Sequence, residues 1–279
     1  MKNLKPYPDN SFDFYQSVVD QKESAELVLR LKNINGKVDT SFMLYDDHYG
    51  TNTLEQIMED GGYAGHKKDL LDLYSYQFSI IKKLRLAIQK EQPRETRYTC
   101  QHCTLTSNES MDHFLPKEDF PVYSVHPLNL LPCCTKCNQF KWSNWRKGGK
   151  RIALNLYLDK LPDIQYLFLN VFTDADGDID FKYTVENPNG IDKNLFELIK
   201  GHYKQLDLLN RMREKSIPLI TEYKNMIENR VKNVQLADII NEFIDTAEAN
   251  KIDFGANYWK SILEIGLVNS ADFIDLIDK

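Results

Sequence analysis

The chain lacks any long hydrophobic run. None of its stretches approaches the ~18 apolar residues that a membrane-spanning helix needs, so no membrane span is expected. The first residues, MKNLKPYPDNSFDFYQ, contain no apolar segment of the kind that marks a secretory signal. These absences predict a cytoplasmic protein with no membrane partner.

Cysteine is scarce and confined to one short window. There are five cysteines in 279 residues, and four of them form two C-x-x-C pairs, Cys100 with Cys103 and Cys134 with Cys137. A disulfide framework would spread along the chain, and an odd number would leave one thiol over. Four thiolates can instead hold Zn²⁺ in a tetrahedron and stabilise a segment with little core of its own. The sequence therefore predicts a structural zinc site, with Cys133 outside it.

A strongly basic balance, which many nucleic-acid-binding proteins show, is also missing. The net charge is −6. Residues 94–151 nevertheless carry nine Lys or Arg against five Asp or Glu, which makes this window +4 and the remainder −10. The basic surface is therefore expected around the cysteines, and the acidic remainder suits a helical scaffold or a partner-binding surface.

Three regions separate along the chain, and together they predict a mainly helical α+β protein. Residues 1–95 are expected to be helical. Residues 96–150 hold the cysteines and several prolines, which favour short strands, tight loops and one short helix. Residues 151–279 are expected to begin with a β-hairpin and to continue as helices.

Hydrophobic periodicity predicts the main elements of the two flanking regions. Apolar residues at three- and four-residue steps predict one long helix over His66–Gln92. Alternating apolar residues predict hairpin strands over Tyr166–Phe172 and Ile179–Val185. Four helices are then predicted, at about 193–215, 217–232, 235–249 and 257–277.

Between the two cysteine pairs lie residues that can attack a phosphodiester. His113 can act as a general base, because its ordinary pKa lies near neutrality. Asp112 precedes it on an extended segment, points the opposite way and can bind a hard cation. Asn138 directly follows the last cysteine and could supply a second oxygen ligand. Taken without the cysteines, Asp112-His113 would be an ordinary strand end with a packed histidine.

The pattern C-x-x-C…D-H-x-x-P…N-L-x-P-x-C-x-x-C-N-x-x-K, over residues 100–141, resembles the zinc-containing HNH endonucleases, which have the ββα-metal fold. The match covers about 15% of the chain. It implies metal-dependent hydrolysis of phosphodiester bonds in nucleic acid, with DNA the expected substrate. By this resemblance Asp112 and Asn138 bind the catalytic metal, and His113 is the general base.

The same resemblance assigns two further positions. Asn129 is implied to brace the loop that orients His113, and Lys141 to lie near the substrate backbone. The four paired cysteines carry over as the zinc site. The last signature residue is Asn138 rather than histidine, and an amide oxygen is a hard ligand that favours Mg²⁺ or Mn²⁺.

A basic segment, KWSNWRKGGKR, ends the window with five cations, two tryptophans and no acid. Arg146 and Lys147 are expected to contact substrate phosphates together with Lys141. Trp142 or Trp145 could stack on a base of single-stranded or distorted substrate. The alternative is a solvated helix end whose tryptophans anchor the segment to the C-terminal domain.

The layout, an HNH-like core between helical flanks, is similar to HNH effectors of bacterial anti-phage systems, including Septu-type and retron-associated ones. That resemblance implies a protein partner such as an ATPase. Two alternatives stay open. The chain could be a modification-dependent or homing-type DNase whose flanks contact DNA, or a non-catalytic zinc module that binds nucleic acid or protein.

Overall fold

A computed structural model describes residues 1–59 and 62–277. It comprises two compact units. The first unit contains residues 3–102 and 106–160, and the second unit contains the chain from residue 161 together with residues 1–2 and 103–105. In the described ranges, no helix is both long and apolar enough to traverse a bilayer.

The first unit begins with five helices. They are α1 (Ser11–Asp20), α2 (Ala25–Asn33), α3 (Asn35–Gly50), α4 (Lys67–Leu71) and α5 (Ser79–Glu91). The side chain of Asn10 caps α1 by accepting hydrogen bonds from the N–H groups of Phe12 and Asp13. The apolar faces of α1 and α3 meet through Tyr15 and Phe42, whose rings pack edge to face and are almost fully buried.

The single long helix predicted over His66–Gln92 is wrong, because α4 and α5 are separate helices. The N–H of Phe78 bonds to the carbonyl of Ser75, a turn rather than a helical bond, so the chain changes direction before α5. Buried residues on both sides of the turn keep three- and four-residue spacing, which imitates one continuous helix. The turn leaves Tyr74 outside either helix.

The cysteine window folds as two strands and a helix. Strand β1 (Ser110–His113) pairs antiparallel with β2 (Leu130–Cys133), and Asp112 lies opposite Leu131. Helix α6 (Thr135–Lys141) follows β2 directly. Two short strands, β3 (Arg146–Lys147) and β4 (Lys150–Arg151), then form a small hairpin.

The predicted boundary between residues 95 and 96 does not separate compact units. The side chain of Gln89, on α5, donates a buried 2.7 Å hydrogen bond to the side chain of Asn108, just before β1. Arg85 donates to the carbonyl of the same asparagine at 3.2 Å. These polar bonds, with the buried apolar face of α5, join the N-terminal helices and the cysteine window in one unit.

The second unit contains the predicted hairpin, which is confirmed as β5 (Leu167–Thr173) paired antiparallel with β6 (Ile179–Val185). Its helices are α7 (Lys193–Gln205), α8 (Leu208–Arg230), α9 (Leu236–Phe254), α10 (Trp259–Val268) and α11 (Ala271–Ile277). The predicted break beside Pro218 is wrong, because α8 continues through it. The chain breaks instead at Asp207, whose φ is +50°. Mixed α and β structure, mainly helical, is therefore what the described residues form.

Candidate active site and metal centre

Four buried cysteines form a compact group. Their Sγ atoms all lie within 4.8 Å of one another, in Cys100, Cys103, Cys134 and Cys137. No disulfide joins them, and a tetrahedral zinc with bonds near 2.3 Å needs sulfurs about 3.8 Å apart. The N–H of Leu105 donates to Cys103 and that of Cys137 to Cys134. This donor set fits a structural zinc ion, and Cys133 is not part of the group.

His113, at the end of β1, is held in one tautomer. Its Nε2 lies 2.8 Å from the carbonyl oxygen of Ser124, which can only accept, so Nε2 carries the proton and Nδ1 is the acceptor. The ring of Tyr74 packs edge-on against the imidazole at 4.3 Å. Burial lowers the pKa of His113 to about 3, so the imidazole is neutral at physiological pH. The neutral imidazole therefore presents an unprotonated Nδ1, which is the ring atom that can accept a proton.

Asn129 is fully buried and holds the loop that follows His113. Its Oδ1 accepts a 2.7 Å bond from the N–H of Leu115. Its Nδ2 donates to the carbonyls of Leu115 at 3.0 Å and Tyr123 at 3.1 Å. Tyr123 precedes Ser124, whose carbonyl binds the imidazole. Asn129 is thus a positioning residue, which acts on His113 through the loop.

Asp112 and Lys141 form a buried ion pair. The Nζ of Lys141 lies 3.1 Å from both carboxylate oxygens of Asp112 and 2.7 Å from the carbonyl oxygen of His113. Each side chain is only 5% exposed. Burial raises the pKa of Asp112 to about 6, although the ammonium group opposes the rise.

This pair corrects the predicted role of Lys141. The residue was expected at the protein surface beside the substrate backbone, but it lies inside the protein against Asp112. The physical reason is that a buried carboxylate is costly unless a cation compensates it. Lys141 provides that compensation.

Asn138, in the first half of α6, presents an oxygen donor. Its Nδ2 donates to the Oγ of Ser110 at 3.0 Å and to the carbonyl of Met111 at 3.3 Å. With the amide nitrogen used in this way, the amide oxygen is left as a potential ligand. A carboxylate and an amide oxygen are hard donors, so Asp112 and Asn138 fit Mg²⁺ or Mn²⁺ rather than a softer ion.

One open cleft of about 430 Å³ brings three of the predicted residues together, Asp112, His113 and Asn138. The other residues that line it are Pro116, Lys117, Glu118, Asp119, Gln139, Trp142 and Ser143. The cleft lies at the junction of β1, the following loop and α6. The residues that carry the proton acceptor and the two oxygen donors therefore line the same cleft.

Arg146 and Lys147, the two predicted phosphate contacts of the basic segment, lie in different surroundings. The guanidinium of Arg146 donates to the carbonyls of Glu55 and Ile57 and to the carboxylate of Glu59. It therefore ties β3 to the segment after α3, and its predicted contact with substrate phosphates stays a prediction. Lys147 is exposed at the β3–β4 hairpin and remains available for phosphate contact.

The two tryptophans of the basic segment also differ. Trp145 is buried against Phe114 and Phe120, at centroid distances of 5.7 Å. These contacts anchor it within the cysteine window, whereas the alternative interpretation predicted contact with the C-terminal domain. Trp142 is 75% exposed and lies in the wall of the cleft.

The cleft also contains groups that the sequence did not single out. Lys117 pairs with Glu118 at 2.8 Å, and both line the cleft. Lys117 directly follows Pro116 of the signature, which is the one signal that could have identified it. The Ser124 carbonyl and the Tyr74 ring hold His113, but a backbone carbonyl and a distant aromatic leave no recognisable sequence pattern.

Comparison with known proteins gives one informative similarity. The chain is 29% identical over 189 residues to protein ea31 of Escherichia phage lambda. The alignment covers 62% of this chain and 62% of the phage protein, whose name states no activity. No family model and no solved structure matches the chain.

Proposed function

We propose that this protein is a metal-dependent HNH-type endonuclease that hydrolyses phosphodiester bonds in nucleic acid, with DNA as the main substrate. One observation carries the proposal: a single cleft contains a neutral histidine of fixed tautomer and two hard oxygen donors. The strand–strand–helix order of β1, β2 and α6, beside four clustered cysteines, supports the resemblance to zinc-containing HNH enzymes.

In the proposed mechanism, His113 removes a proton from the attacking water through Nδ1. The Ser124 carbonyl, bound at Nε2, stabilises the imidazolium that forms. The negative charge of the phosphodiester in the cleft raises the basicity of the imidazole above that of the empty site. A divalent cation on Asp112 and Asn138 would supply positive charge for the phosphate and the leaving oxygen.

The structural zinc has a separate role in this proposal. The cysteine pairs flank β1, β2 and the start of α6, which are the elements that present Asp112, His113 and Asn138. A zinc ion held by four thiolates would fix these elements to each other without contacting the cleft. Loss of zinc is expected to disorder the cleft instead of altering its chemistry.

The biological role that we favour is that of a cytoplasmic effector in a bacterial anti-phage system, working with a partner such as an ATPase. The resemblance of the layout supports this, as does the contrast between the +4 window and the −10 remainder. A modification-dependent or homing-type DNase would use flanks that bind DNA, and acidic flanks disfavour it. A non-catalytic zinc module has no need for His113 and its two neighbouring oxygen donors.

The test measures how fast the zinc-loaded protein cleaves supercoiled DNA, linear DNA and RNA in the presence of Mg²⁺ or Mn²⁺. His113→Ala should lower the rate by about 10²- to 10⁴-fold, the usual contribution of a general base. Zinc content should stay unchanged, and the variant should stay folded at the assay temperature although it loses the bond to Ser124. His48→Ala is the matched control, because His48 bonds to Thr53 outside the cleft and its loss should leave the rate intact.

Two results would contradict the proposal. Cleavage by His113→Ala at the wild-type rate would show that this histidine is not the base. Binding of nucleic acid without cleavage, with either cation and with each of the three substrates, would favour the non-catalytic zinc module.

A further inference from the structure

Trp142 is an exposed aromatic side chain in the wall of the candidate active site. Its residue is 75% exposed, and it lines the same cleft as Asp112 and His113. Trp145, three residues later, is 3% exposed in the core. Packing therefore accounts for Trp145 but leaves Trp142 without a structural reason to be large and apolar.

The backbone at Trp142 also disfavours a tryptophan. Its φ is +46° and its ψ is −128°, a region that glycine enters freely and that residues with a Cβ enter only with strain. The N–H of Trp142 closes α6 by bonding to the carbonyl of Asn138, which a glycine would do equally well. Folding alone would thus select glycine here, which suggests that the indole serves a contact with another molecule.

We propose that Trp142 stacks on an unpaired nucleobase next to the scissile phosphate, so that the substrate is single-stranded or locally unpaired nucleic acid. This inference rests on the proposed nuclease function. In a duplex each base face is covered by its neighbours, so only an unpaired base offers a free face to an indole. Stacking on exposed aromatic residues is the usual means by which proteins hold single strands without regard to sequence.

The charges around Trp142 suit a nucleic-acid strand. Lys147 and Lys150 lie opposite each other in the β3–β4 hairpin and are both exposed. Three acidic residues also line the cleft: Asp112 is paired with Lys141, Glu118 is paired with Lys117, and the third is Asp119. The hairpin follows Trp142 closely in the chain, and its exposed lysines can attract the phosphates of a strand that stacks there.

The test uses oligo-dT and a random-sequence duplex in buffer without added divalent cation, so that no cleavage occurs. The chain has three tryptophans, and the other two, Trp145 and Trp259, are 3% and 7% exposed. Only the indole of Trp142 is open to contact with a nucleobase, so quenching of tryptophan fluorescence by oligo-dT should report on Trp142. Trp142→Gly should weaken oligo-dT binding about 5- to 150-fold, the range for loss of one stacked base, while duplex binding changes little.

Three comparisons separate this role from a structural one. Trp142→Gly should melt at or above the wild-type temperature, because glycine relieves the strain. Trp142→Phe should retain most of the oligo-dT affinity. Tyr98→Ala removes an aromatic residue of similar exposure (63%) that does not line the cleft, and it should bind oligo-dT as the wild type does.

The proposal would be overturned if Trp142→Gly bound oligo-dT like the wild type, lost duplex affinity to the same degree, or unfolded at a clearly lower temperature. A failure of the nuclease proposal would look different. It would appear as absent or His113-independent cleavage, whereas binding of oligo-dT and quenching of Trp142 are measured without cleavage.

Discussion

Replacing Lys141 by methionine should make the metal-free protein less stable and its affinity for a divalent cation higher. Methionine keeps the length and most of the packing of the lysine stem but removes the ammonium group that lies 3.1 Å from both oxygens of Asp112. The carboxylate is then buried without a cation, and a bound Mn²⁺ no longer competes with Lys141 for it.

The magnitude follows from the burial of the pair. Removing one partner of a buried ion pair costs about 3–5 kcal/mol. Protonation of Asp112 lowers this cost, because the neutral carboxyl group needs no cation beside it. The pKa of Asp112 is already about 6 beside Lys141, so taking up a proton at pH 7 costs only ~1.4 kcal/mol, the equivalent of one pKa unit. We therefore expect Lys141→Met to lower the free energy of unfolding by about 1–2 kcal/mol.

The assay is chemical denaturation at matched zinc content, with Mn²⁺ binding measured by calorimetry. Lys141→Met should bind Mn²⁺ at least ~10-fold more tightly, since even 1.4 kcal/mol of the relieved competition gives that factor. The double variant Asp112→Asn/Lys141→Met is the control. It removes both charges and should recover most of the lost stability, because a neutral buried pair leaves no uncompensated charge.

The reasoning would be refuted by a Lys141→Met protein with wild-type stability and wild-type Mn²⁺ affinity. That result would mean that Lys141 does not balance the charge of Asp112 in the metal-free protein.

Three further predictions concern the supports of the site and the second unit. Cys134→Ser should lower zinc content and melting temperature together, as measured by atomic absorption and calorimetry, because Cys134 is both one of the four clustered thiols and the cap of α6. Asn129→Ala should cost about 1–3 kcal/mol of stability, measured by denaturation, since it leaves buried groups of Leu115 and Tyr123 without partners. Burial raises the pKa of Glu264, so above pH 4.5 the folded state keeps this proton when the unfolded state loses it. The contribution of Glu264 to the free energy of unfolding therefore falls as the pH rises from 4.5 through the folded-state pKa. Glu264→Gln removes this loss, so its melting temperature relative to the wild type should be higher at pH 8 than at pH 5. If the variant and the wild type showed the same dependence of melting temperature on pH, the prediction would be contradicted.

Much of the cysteine window could be predicted from the sequence, because its ligands come in short fixed spacings. Two C-x-x-C pairs predict one four-sulfur group, and the structure brings those four thiols together. The alternation of a strand predicts that Asp112 and His113 point to different partners, and they do, Asp112 to Lys141 and His113 to Ser124. In this window, short-range sequence patterns therefore predict which side chains lie together.

The errors arose where burial decides the role of a charged residue. Lys141 looks like a surface cation in a basic segment, yet it is buried against the carboxylate of Asp112. Whether a lysine faces water or a buried acid depends on which strand packs beneath its helix, and no spacing rule states that. The long helix predicted over His66–Gln92 failed for a related reason, since buried residues on two helices can keep one period.

Crystals soaked with Mn²⁺ test the central claim, that the cleft binds the cation that acts on the phosphodiester. Anomalous scattering should show an ion about 2.0–2.4 Å from a carboxylate oxygen of Asp112 and from the amide oxygen of Asn138, with the Nζ of Lys141 displaced from Asp112. At saturating Mn²⁺, a cleft without an ion and with Lys141 still bound to Asp112 would contradict the account.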